Sequence, residues 1–271
     1  MSTRVPVSLA VRTAFAFWPV AWRRCWAALL LAAALTGLFA VMGRDGSALA
    51  RVAVGVGVLA AGVMARGGLY RTALARLGRA DLKAGPAGLQ WAAAEWRLVG
   101  TVILVGVLLI LALALVLVVF LGVSLGLASA GQGFAISDPN TWRPSFTGRA
   151  RVLHLALAAV CAGALVWIAL RLALAQAATV ARRKVQVLSA WPLTGGNVLG
   201  LLVGTVAVSL PALIALGAGA IALDAVHAAH PLRVLRLGYA LAAVLLQLPL
   251  GVGLTTYFYD RVSPPSAESP A

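Results

Sequence analysis

From Cys25 to Tyr259 the chain runs through six long apolar segments joined by short, arginine-bearing connections. That pattern leaves few folds open. A helix crossing lipid needs about 20 mostly apolar residues, because each residue rises about 1.5 Å through a hydrocarbon layer roughly 30 Å thick. Six segments reach that length, at about 25–43, 47–68, 98–124, 152–174, 197–223 and 236–258. The second lies between Arg51 and Arg66, whose side chains can snorkel towards opposite surfaces. Hydrophobic residues make up 62% of the 271 positions and charged residues 11%, whereas soluble domains average about 45–50% and about 25%. The sequence therefore predicts one all-α integral membrane domain over 1–262, with a short flexible cytoplasmic tail at 263–271.

The basic residues set the expected orientation. Positively charged connections tend to stay in the cytoplasm. The N-terminal segment, the connections after the second and fourth segments, and the tail, counted with Arg66 and Arg171 at the adjoining segment ends, together hold fifteen of the 22 lysines and arginines. Both termini are expected inside. The net charge of +15 sits in short juxtamembrane stretches with no long basic tract, which points to anionic lipid headgroups and excludes nucleic acid as the expected partner. The first apolar run is preceded by aromatic residues and ends without a small-x-small cleavage site, so it reads as an uncleaved helix. Heavy use of Arg, Ala, Gly, Val and Leu with only two lysines suggests a GC-rich bacterial genome, and hence an inner-membrane location.

Three connections look alike. Residues 5–24, 86–97 and 180–195 each place aromatic and basic side chains before an apolar run, most clearly at Phe17-Trp18-Pro19-Val20 and Ala190-Trp191-Pro192-Leu193. Tryptophan favours the headgroup level and arginine reaches phosphate. The pattern predicts three helical hairpins, each introduced by a short helix lying in the cytoplasmic interface. The interfacial or partner-docking candidates are Trp18, Trp22, Arg23, Arg24, Trp96, Arg97, Arg171, Arg182, Arg183, Lys184, Trp191 and Thr194. They read either as an ordinary aromatic belt with basic flanks or as a surface for an envelope protein complex.

The stretch from Arg171-Leu172-Ala173-Leu174-Ala175 through Ser189-Ala190-Trp191-Pro192-Leu193-Thr194-Gly195-Gly196-Asn197 resembles the signature of YciC-like six-helix bacterial membrane proteins. It is similar too to the membrane domain fused to some glycerophosphoryl diester phosphodiesterases. Ser189, Trp191, Leu193, Thr194 and Gly196 carry the likeness, and Tyr257-Phe258-Tyr259-Asp260-Arg261 resembles that family's last-helix ending. Gly195 stands where a basic residue is usual, and Val198-Leu199 replace aromatics. The resemblance implies a six-helix fold and no reaction. With no stretch outside the segments longer than about 30 residues, a phosphodiesterase activity does not carry over.

The sequence carries little recognisable chemistry. Gly122-Val123-Ser124-Leu125-Gly126 and Gly200-Leu201-Leu202-Val203-Gly204 are small-xxx-small patterns suited to helix packing within the bundle, with a homodimer contact as the alternative. Pro211 and Pro249 are expected to kink the fifth and sixth segments close to Ser209 and Gln247. All seven acidic residues fall in connections or tails, which disfavours an ion-coupled carrier. Arg171 is expected to snorkel from the end of the fourth segment. His154, His227 and His230 are assigned to the external face, and Asp224, His227 and His230 offer too few ligands for a structural metal. Cys25 and Cys161 form neither a disulfide framework nor a metal motif. Ser129 to Ala150 reads as a turn-rich external cap. No cofactor or catalytic residue is assigned. The expected role is a non-enzymatic inner-membrane protein that organises or assists envelope components; a transporter or lipid-handling pore is the alternative.

Overall fold

The computed structural model describes residues 5–42, 47–78, 85–129, 148–225 and 231–263. All regular structure among them is helical, and six helices are long and apolar enough to cross a membrane. In chain order the elements are α1 (Val7–Met42), α2 (Ala48–Arg76), a 3-10 turn (Pro86–Gly88), α3 (Ala93–Ser129), α4 (Gly148–Leu172), α5 (Ala175–Arg182), α6 (Ala190–Leu193), α7 (Val198–Ala225), α8 (Pro231–Ala242) and α9 (Leu248–Val262). A π-helical segment, Ala243–Gln247, joins α8 to α9. Of the cap expected from Ser129 to Ala150, Ser129 ends α3 and residues 148–150 begin α4, while 130–147, like His227 and His230, lie outside the described residues.

The chain divides into two units, one comprising residues up to Val102 and from Ala173 onward, the other Ile103–Leu172. In the first, α1 runs antiparallel to α2 and to the α8–α9 helix. Gly37 of α1 lies beside Leu237 and Leu241, whereas Ala14 lies beside Gly253; on the α2 side, Leu35 meets Gly57 and Cys25 meets Gly68. The sequence of α1 dictates this. Its buried stripe reads Ala10, Ala14, Phe17, Ala21, Cys25, Ala28 and Ala32, spaced by three and four so that every member falls on one face. Six of the seven are alanine or cysteine, and small side chains let backbones approach where lipid supplies no hydrophobic drive. Ala28 and Ala32 meet Ala61 and Ala65 of α2, with Leu35, Val244 and Leu248 closing the cluster.

Helix α7 packs on the sixth span through Gly200, beside Phe258, and Gly204, beside Leu254. The second glycine pattern, Gly122 and Gly126, has nothing against it within 4 Å among the described residues. In the second unit, His154 of α4 lies 3.2 Å from the Ser124 hydroxyl of α3 and 5.0 Å from the Phe120 ring centroid.

Observed helices overrun the expected spans. α2 continues eight residues past 68, taking in Arg71 and Arg76. A charge ends an apolar run in sequence, but a paired charge need not end a helix. Residues 7–24 are continuous with the first span, with a kink at Cys25 (φ −126°, ψ 23°). The fourth span breaks after Leu172 before continuing as α5.

Candidate functional site

One end of the first unit gathers most of its buried polar groups. Arg71, in the last turns of α2, and Glu95, in the first turn of α3, form an ion pair of 2.5 Å. Glu95 is 0% exposed. Its other carboxylate oxygen accepts from the Ala92 N–H at 2.8 Å, capping α3 as an acidic side chain at the third helical position does. The carboxylate reaches α2 only because residue 67 is glycine: a Cβ there would stand 2.6 Å from Glu95 Oε1. Beside the pair, the 3-10 turn inserts against the α1 kink. Gly88 has φ +79°, and a Cβ on it would fall 2.9 Å from Cys25 Cα. Both the backbone angle and the space demand glycine. The Cys25 thiol sits 3.6 Å from the Thr72 hydroxyl, which donates to Gly68 O.

Further hydrogen bonds lock the connection between α5 and α7. Thr101 of α3 and Thr179 of α5 share a buried bond of 2.9 Å, and Thr179 Oγ1 also accepts from the Gln186 N–H. Gln186 Oε1 in turn accepts from Arg182 and from the Ser189 hydroxyl. The Val5 N–H donates to Asn197 Oδ1 at 2.9 Å, tying the start of α1 to the start of α7.

On this frame the expected surface residues divide. Arg23 and Arg24 are exposed, as are Arg182, Arg183 and Lys184, with Arg183 in a left-handed conformation that ends α5. Trp96 is 63% exposed and meets the Trp91 ring edge-on at 5.3 Å. Arg97 and Trp191 are half-buried. Thr194 is fully buried and donates to Trp191 O. Arg171 belongs to the second unit, where its guanidinium lies 5.0 Å over the Trp167 ring.

Trp18 and Trp22 turn inward. Both indole N–H groups donate to one carbonyl, that of Leu245, at 3.2 and 3.3 Å. Leu245 is four residues before Pro249, and proline has no N–H to return. The two tryptophans add donors where the proline withholds one. Gln247 meanwhile donates to Ser209 Oγ at 3.1 Å, joining the spans that carry Pro211 and Pro249.

Sequence reasoning missed Arg71 and Glu95 as partners, along with the Thr101–Thr179 and Val5–Asn197 links. The usable signal was Glu95 three residues into a helix, a capping position; nothing local pointed to Arg71. Among the described residues no group of three or more His, Cys, Asp or Glu side chains is placed to hold a metal. The arrangement offers rigid positioning and an exposed cationic and aromatic surface. The chain matches no protein-family model, no curated protein and no solved structure.

Proposed function

We propose that the protein is a non-enzymatic component of the bacterial inner membrane, with both termini cytoplasmic, that organises or assists envelope proteins through one basic, aromatic surface. The observation that carries this reading is the contrast at that end of the first unit. Three pairs of polar groups are spent on one another, in Arg71–Glu95, Thr101–Thr179 and Val5–Asn197, while Arg23, Arg24, Arg182, Arg183, Lys184 and Trp96 stay exposed on the elements they fix. A carrier keeps polar groups for its cargo; here they serve the frame. The segments 5–24, 86–97 and 180–195 then lie in the cytoplasmic interface and introduce the three hairpins, their arginines at lipid phosphate and their outer faces towards a partner.

Affinity capture of the tagged chain in mild detergent tests it. One envelope complex should co-purify with the parent and be lost when Arg182, Arg183 and Lys184 are changed together to glutamine. Ligand-dependent flux through the purified protein in liposomes, with no stable partner, would replace this reading with that of a transporter.

A further inference from the structure

A cleft of about 230 Å³ opens in the first unit between α1, α2 and α9, lined by Thr13, Phe17, Arg76, Leu77, Thr256 and Tyr257 among others. We propose that it binds the phosphate of one anionic phospholipid headgroup.

Charge argues first. Among the described residues Arg76 is the one cationic side chain on the lining, and no carboxylate lines it. A guanidinium carries five donors. Arg76 uses Nη1 in a long bond, 3.4 Å, to Ala16 O, with no carboxylate paired to it among the described residues. Arg261 adds positive potential nearby, stacked 5.4 Å over the Tyr257 ring. The negative end of the α2 dipole is blunted, since the Leu74 and Ala75 carbonyls accept from Leu77 and Gly78.

Unmet hydrogen bonding argues second and independently. The hydroxyls of Thr256 and Tyr257, residues 1% and 5% exposed, have no partner among the described residues. Buried hydroxyls normally find one. Both residues line the cleft, and a modest rotation of either side chain would add a donor for an oxyanion held by Arg76.

Depth selects lipid over a soluble phosphate. α2 has 29 residues, so at about 1.5 Å each it is about 43 Å long, close to the roughly 40–45 Å of a bilayer with its headgroups. Arg76, its final residue, falls at headgroup depth. Phe17 and Leu77 give the cleft apolar walls for the glycerol and upper acyl chain, and the volume accepts a headgroup while excluding a whole lipid. The assignment uses none of the exposed surface residues of the proposed function, so the two stand or fall separately.

Native mass spectrometry of the full-length protein in detergent, with phosphatidylglycerol or phosphatidylcholine added, tests the site. One phosphatidylglycerol should be retained with about tenfold preference, and Arg76→Gln should remove that preference, as expected for loss of a charged hydrogen bond. Ala16→Phe, at an exposed position on the lining, should block the cleft sterically with the same result. Arg76→Lys should keep part of the preference, showing that a charge and not a folding defect is being read. Replacing Arg182, Arg183 and Lys184 with glutamine should leave it intact. Equal retention of both lipids, or a preference that survives both cleft variants, overturns the proposal. Displacement of the lipid by soluble glycerol 3-phosphate at matched concentration overturns the assignment to lipid.

Discussion

Arg71 and Glu95 show how a single pairing changes what a residue means. Each alone reads as a connection residue, because a charge is what terminates an apolar run; together they are a buried pair held by a glycine and a backbone cap. Their separation of 24 positions puts the partnership beyond any local pattern. Removing one member leaves a buried, uncompensated charge, so Glu95→Ala should destabilise the protein by about 3–5 kcal/mol. The double change Arg71→Met, Glu95→Leu removes both charges and should cost far less. Unfolding of the detergent-solubilised protein, followed in parallel for the two variants, checks the ordering. Equal losses would mean that the pair is not coupled in the folded state.

At the scale of elements, the proline in the sixth span was legible and its remedy was not. The sequence placed kinks at Pro211 and Pro249, close to Ser209 and Gln247, and the structure has a π segment before Pro249 with those two side chains bonded across helices. It could not reveal that the bare Leu245 carbonyl is served by Trp18 and Trp22, whose spacing reads equally well as an interfacial face. Either indole suffices to pair the carbonyl. Trp18→Phe and Trp22→Phe should therefore each cost little, whereas together they leave a part-buried acceptor short of donors at about 1 kcal/mol. Pro249→Ala in the double-phenylalanine background returns an N–H to the helix and should recover most of that loss. Thermal unfolding of the four proteins gives the comparison, and additive losses would rule the shared carbonyl out.

For the whole molecule, six apolar helices followed from length and composition, since the number of long runs is a property of the sequence by itself. Helix ends and partners did not, because they depend on contacts between distant segments: α2 runs to Arg76 and α1 begins at Val7. Orientation rests on the distribution of basic residues. A reporter fused after Asp138 should register as external and one fused after Ser263 as cytoplasmic; an external signal from the second would invert the topology. The α5–α7 connection refines the test. In a chain lacking Cys25 and Cys161, Ser189→Cys should react with an impermeant thiol reagent from the cytoplasmic side. Val187→Cys, at a position 3% exposed, should react far more slowly. Labelling of Ser189→Cys from outside alone would mean that the connection crosses the membrane.

The tryptophan bridge also imposes an order on assembly. Trp22 and its acceptor are separated by 223 positions, so at about 5–20 residues per second the first helix waits roughly 11–45 s for the chain that completes it. Its alanine stripe can meet α2 early, but the face that receives the sixth helix is unfilled until synthesis has nearly reached Val262. A ribosome stalled after α7 would leave α1 inserted and half-packed, its two indoles without the carbonyl they share. Quality control in the membrane would meet that state as a exposed small-residue groove, open to whichever helix arrives first.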